Sequence, residues 1–160
     1  MPDVRLICVG KMKETHYIAA FAEYEKRLSA FCRFELVEIP EERLPEDPSE
    51  KEITAALEKE SAAIERAVPK GAAVIALCIE GEQSSSEELA RWLEAQQLAG
   101  SGKLCFIVGG SYGLAEGLKR RADKRLSMSR MTFPHHLARV MLCEQIYRAY
   151  MISAGRKYHK

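Results

Sequence analysis

The chain has 160 residues, with 24 Lys and Arg against 23 Asp and Glu, 47% hydrophobic and 29% charged. That balance suits one globular domain, residues 1–160, around one core, and excludes a disordered, collagen-like or disulfide-scaffold chain. No apolar stretch approaches the roughly 20 residues that span a bilayer, and the opening M-P-D-V-R-L is not a signal peptide, so the expectation is a soluble, cytoplasmic protein with no membrane partner.

The elements follow in chain order. Val4 to Val9 reads as a buried strand closed by Gly10, and Thr15 to Phe31 as a helix with Ile18, Phe21, Ala22 and Leu28 at helical spacing. Phe34 to Ile39 is a second strand, and Pro40 to Pro48 a loop with three prolines. Ser49 with Glu52 forms a capping-box pattern that opens a helix to about Val68, ended by Pro69 and Gly71. Ala72 to Ile79 is apolar on both faces, as a strand inside a parallel sheet should be. Ser85 with Glu88 repeats the capping box and opens a helix to about Leu98. Leu104 to Val108 is the next buried strand and runs into Gly109-Gly110-Ser111-Tyr112-Gly113. A short helix follows, then Leu126 to Met131 as a last strand or extended segment. Pro134 suits the first position of a final helix, and Gly155 its cap. Alternating strands and helices predict a three-layer α/β fold with a mainly parallel sheet covered by helices on both faces.

Charge is segregated along the chain. Glu38 to Glu65 carries ten acidic and three basic residues, whereas Gly117 to Lys160 carries eleven basic and two acidic ones. A polyanion would meet the second segment and avoid the first. The five cysteines show neither a C-x-x-C pair nor zinc-ligand spacing, so they read as core thiols, with no disulfide and no metal.

Several segments carry candidate chemistry. The Gly109–Gly113 turn lets backbone N–H groups approach a ligand, but it is neither G-x-G-x-x-G nor a Walker motif. Ser127 and Ser129 are poor residues for a core strand, and with Met131 and Phe133 they suit a flat heterocycle. The last helix is apolar on nearly all sides, from Leu137 to Ile152, which suggests cover by a second subunit in a symmetric dimer. Within it Glu144 and Arg148 stand at i and i+4. The tail Arg156-Lys157-Tyr158-His159-Lys160 combines cations, an aromatic ring and an imidazole, groups that hold phosphate and stack on a base.

These stretches together resemble the RlmH family of SPOUT-class methyltransferases, bacterial enzymes acting on large-subunit ribosomal RNA. The matching segments are V-G-K-M-K-E at Val9 to Glu14, E-Y-E-K-R-L at Glu23 to Leu28 and A-L-C-I-E-G at Ala76 to Gly81. They continue with I-V-G-G-S-Y-G-L at Ile107 to Leu114, L-S-M-S-R-M-T-F-P-H at Leu126 to His135, E-Q-I-Y-R-A at Glu144 to Ala149 and the terminal Y-H-K. The resemblance implies a C-terminal trefoil knot, a homodimer, and S-adenosylmethionine bound by Leu77, Gly109, Met128, Ser129, Arg130, Met131, Thr132 and Phe133. It implies N3-methylation of a pseudouridine in 23S ribosomal RNA, in the setting of the ribosome. Arg148 and His159 are then candidates for charge stabilisation and proton removal, Tyr158 for orienting the target base, and His135, Arg139 and Lys160 for phosphate contact. Two other classes fit the residues less well: a ribosome-binding or assembly factor that kept the fold without the chemistry, and a nucleotide-binding α/β protein acting on a small molecule.

Overall fold

Two capping boxes fix where the middle helices begin, as the sequence predicts. In the computed structural model, which describes all residues 1–160, the Ser49 and Ser85 hydroxyls accept from the Glu52 and Glu88 backbone N–H groups. The two glutamates return the bond to the serine N–H groups. Along the chain lie β1 (Asp3–Val9), α1 (Thr15–Leu28), β2 (Arg33–Ile39), α2 (Glu50–Ala67) and β3 (Ala73–Gln83). Then come α3 (Ser86–Ala99), β4 (Lys103–Val108), α4 (Glu116–Arg121), β5 (Lys124–Ser127) and α5 (His135–Ser153).

The five strands pair in the order β2-β1-β4-β3-β5, every pair parallel. A parallel sheet needs both faces covered, and the alternation of side chains supplies two cores. Leu6, Cys8, Leu104, Phe106 and Ile75 point to one face, under α1, α3 and α5. Ile7, Val9, Cys105, Ile107, Val74 and Ala76 point to the other, under α2 and α4. Parallel strands send their C-terminal ends to one edge, so the loops after β1, β3, β4 and β5 gather there.

Two strands differ from their sequence-based bounds. β3 runs on to Gln83, and its pairing with β5 jumps between Leu77 and Glu82, so Cys78 to Gly81 bulge out of the ladder. β5 starts at Lys124 and stops at Ser127, short of the expected Met131. Its end has a local cause. The Ser127 hydroxyl donates to the Ser129 carbonyl, and the Ser129 hydroxyl accepts from the Met131 N–H. These side-chain bonds offer the backbone an alternative to the ladder and turn it away.

Pro134 is the residue before α5 rather than its first member, with ψ of 134°. At the other end Gly155 takes φ +67°. Its N–H bonds the Ile152 carbonyl while the Arg156 N–H bonds that of Met151, a Schellman closure. The apolar sides of α5 find partners within the chain. The helix lies on the sheet between α1 and α3, and Val140, Leu142, Cys143, Ile146 and Ala149 are buried there. Leu137, Met141 and Met151 stay half-exposed on its outer side.

Packing at the centre of α5 should dominate stability. Ile146→Ala, at a fully buried site, is expected to cost about 2–5 kcal/mol in urea unfolding. Leu98→Ala, 82% exposed on α3, should change it by less than about 0.5 kcal/mol.

Candidate functional site

Three distant stretches meet at the C-terminal edge of the sheet around a cleft of about 640 Å³. Its walls are Leu77 to Glu80 from the β3 bulge, Val108 to Leu114 from the turn after β4, and Met128 to Pro134 from the loop after β5. Of the predicted cofactor-binding residues, Leu77, Gly109, Met128, Ser129, Met131, Thr132 and Phe133 line it, whereas Arg130 is exposed and does not. The volume lies in the range of ligand sites. Ile79, Tyr112 and Met131 are 50%, 51% and 69% exposed, and all three border this cleft. Large apolar side chains left open around one cavity mark a ligand site.

The shape rests on glycine. A Cβ at Gly109 would lie 2.4 Å from the Gly113 carbonyl oxygen, so no side chain fits there. Gly113 adopts φ +79°, and its N–H closes a turn onto the Gly110 carbonyl at 3.1 Å. Glu41, from the loop after β2, packs against Gly110 and accepts the Ser111 N–H at 3.2 Å. Sequence reasoning missed the wall formed by Cys78, Ile79 and Glu80, because a register break in a strand leaves no periodic signal. It also missed Lys119, which pairs with Glu80 at 2.5 Å on the cleft's side. His135, expected at RNA phosphate, lines the cleft as well. Burial, reinforced by neighbouring His136, holds its pKa below the ordinary imidazole value, so it meets a ligand as a neutral ring.

A second group forms where the tail folds back. Arg148 grips Glu144 through Nε at 2.9 Å and a terminal nitrogen at 2.7 Å. Its other nitrogen lies 3.1 Å from His159 Nδ1, and His159 Nε2 lies 2.5 Å from Glu87 at the start of α3. Arg only donates, so Nδ1 accepts and Nε2 carries the proton toward Glu87. Tyr158 donates to Glu144 at 3.3 Å, and its ring lies under the Arg148 guanidinium, 4.7 Å away. Burial and the Glu144 charge push the Tyr158 phenol up to about 12. Arg148, Tyr158 and His159 are thus brought together, and Lys160 beyond them is exposed. This group lies toward the opposite end of α5 from His135. Arg148 follows His135 by thirteen residues of one helix, about 20 Å at 1.5 Å per residue.

Arg139 requires a correction. Expected at RNA phosphate, it is 1% exposed. Its guanidinium is taken up by Glu38 at 2.7 Å and the Gly10 carbonyl at 2.7 Å, with no face left for an external anion. Helix position alone placed it near other cations, and only packing shows which side of α5 it occupies.

The five cysteines are free, and burial pushes the Cys8, Cys32 and Cys105 thiols up to about 12. Burial thus keeps these three thiols protonated at neutral pH. No helix is long and apolar enough to cross a membrane.

Residues 3–159 match the family described as predicted SPOUT methyltransferase. Among curated relatives, the ribosomal RNA large subunit methyltransferase H of Clostridioides difficile is 45% identical over 99% of both chains. The proteins of the same name from Listeria monocytogenes and Ligilactobacillus salivarius are 43% and 44% identical, again over 99% of both chains. Among solved structures, a probable methylase family protein from Haemophilus influenzae superposes with TM-score 0.60 at 15% identity, covering 98% of this chain and 70% of that one. A probable methyltransferase from Bordetella pertussis gives 0.56 at 17%, covering 92% and 96%. At such identities the two structures speak for the fold alone.

Gly109→Ala should force Gly113 aside and destabilise the protein by about 1–3 kcal/mol in thermal unfolding.

Proposed function

Since this chain belongs to the SPOUT methyltransferases, among the ribosomal RNA large subunit methyltransferases H, we propose that it transfers a methyl group from S-adenosylmethionine to N3 of a pseudouridine in 23S ribosomal RNA, in the cytoplasm and on the ribosome. The observation that carries the reading is the convergence of the β3 bulge, the Gly109 turn and the Met128–Pro134 loop on one cleft. Backbone there can bond an adenine edge, and Leu77, Met128 and Phe133 can pack on its faces. The Gly109–Gly113 contact shapes the turn whose main chain borders the cleft. The trefoil knot of the family belongs to this reading.

S-adenosylmethionine supplies an electrophilic methyl on a positively charged sulfur. The protein is left with placement and charge. N3 of a uracil-type ring must lose its proton to attack. Glu87 behind the His159 Nε2–H makes Nδ1 the lone-pair nitrogen, so Nδ1 is the group that accepts this proton when the ring displaces Arg148 from it. The Arg148 guanidinium beside it favours the deprotonated ring. Glu144 keeps Arg148 and Tyr158 in place through its two bonds from Arg148 and one from Tyr158. Tyr158, a phenol that stays protonated, orients the base, and Lys160 and His135 face the backbone of the RNA.

The separation of His135 from Arg148 along α5, about 20 Å, argues for a homodimer in which one chain's tail reaches the other's cleft. Leu137, Met141, Glu144, Arg148 and Met151 form a half-exposed stripe along α5, at i, i+4, i+7, i+11 and i+14. Two such stripes packed antiparallel about a two-fold axis would set Arg148 of one chain near the His135 end of its partner.

Two measurements bear on this. Arg148→Ala and His159→Ala should each lower methyl transfer to ribosomes by at least about 100-fold while leaving S-adenosylmethionine affinity within about twofold; full activity in both would refute the mechanism. Mixed dimers of Gly109→Ala and His159→Ala chains should regain activity that neither homodimer has, because one site then combines an intact cleft with an intact tail. No recovery on mixing would mean that cleft and tail act within one chain.

A further inference from the structure

The loop Gly10–Glu14 after β1 belongs neither to the cleft nor to the Arg148–His159 group, yet it is fastened on several sides. Arg139 donates to the Gly10 carbonyl and to Glu38. Glu38 also accepts the Met12 N–H at 3.1 Å. The Met12 side chain is buried, the Gly10 N–H bonds the Ile39 carbonyl at 2.7 Å, and His136 Nδ1 lies 2.8 Å from Glu14. This fastening is not free. Arg139 Nε and His136 Nε2 are buried without partners, and a charge enclosed on those terms opposes stability.

What the loop holds out is Lys11 and Lys13, the exposed neighbours of buried Met12. Neither lies within ion-pair distance of a carboxylate, since the ion pairs of the chain all involve other residues. The acids of this edge are turned to protein donors: Glu14 to His136, Glu38 to Arg139 and Glu41 to the Ser111 N–H. The loop also adjoins the cleft. A Cβ on Gly10 would lie 4.0 Å from His136 Nε2, next to His135 of the cleft wall, and Val9 packs 3.2 Å from the corresponding point on Gly110.

We infer that the Gly10–Glu14 loop is a phosphate-binding rim of the RNA site, with Lys11 and Lys13 as the contacts and the buried Arg139–Glu38 pair as the positioning groups that hold them beside the cleft. The inference rests on the RNA-methyltransferase reading above. Two unpaired cations on a loop already fixed by its own chain lose little freedom on meeting a phosphate backbone, and they release its condensed counterions.

The test uses the full-length protein and ribosomes from cells lacking it. Lys11→Ala/Lys13→Ala should weaken ribosome binding about tenfold and reduce the slope of log affinity against log salt by about 1.4–1.8, with S-adenosylmethionine affinity unchanged. An unchanged affinity and slope would overturn the inference; so would a weaker affinity with the wild-type slope, as loss of a contact to ribosomal protein would give. Glu38→Gln keeps an oxygen for the Met12 N–H and removes the charge that holds Arg139. It should weaken ribosome binding in the native background and add no further loss in the Lys11→Ala/Lys13→Ala background; additive losses would overturn the positioning role. If the unaltered protein does not bind ribosomes, the methyltransferase reading itself falls, an outcome distinct from all of these.

Discussion

Main chain touches main chain at Gly109, and the cleft exists because it does. The Gly113 carbonyl lies where a side chain on Gly109 would begin, so the turn after β4 can fold flat and open a space between itself and the loop after β5. A similar contact recurs at Gly81, where a Cβ would lie 2.8 Å from the Arg125 backbone. It lets the β3 bulge pass close to β5 and present Leu77 to Glu80 to the same space. Both contacts depend on the parallel sheet, which brings the ends of β3, β4 and β5 to one edge.

Two groups of polar side chains sit at the two ends of α5. Its first turn borders the cleft, and its last turns carry Arg148 and receive the returning tail. A rigid helix holds His135 and Arg148 about 20 Å apart along its axis. The middle of the helix serves neither: Val140, Cys143 and Ile146 hold it to the sheet, and Arg139 ties it to the loop after β1.

Charge follows the same division. The acidic stretch Glu38 to Glu65 supplies inward struts at several points. Glu38 binds Arg139, Glu41 steadies the Gly110 turn, and Glu60 accepts the Glu42 N–H. Burial raises the Glu60 pKa, and the bond from Glu42 opposes that shift. Much of the negative charge near the site is thereby committed to protein donors, while Lys11, Lys13, Arg130 and Lys160 are exposed. A nearly neutral chain can in this way offer a cationic face to a polyanion.

The sequence by itself determined the alternation of strands and helices, both capping boxes, the Gly155 cap, and two of the cleft's segments, the Gly109–Gly113 turn and the polar run after Leu126. These are local signals, set by side-chain period, by hydroxyls that can cap N–H groups and by positions only glycine tolerates. Tertiary structure alone decided the rest. The β3 register break, the early end of β5 and the burial of Arg139 depend on which groups meet across large sequence separations, and no local pattern records that. Arg139 and Arg148 look alike on a helix written as letters; one became a buried strut to the loop after β1 and the other a half-buried partner of Glu144 and the returning tail, because the two sides of α5 face different neighbours.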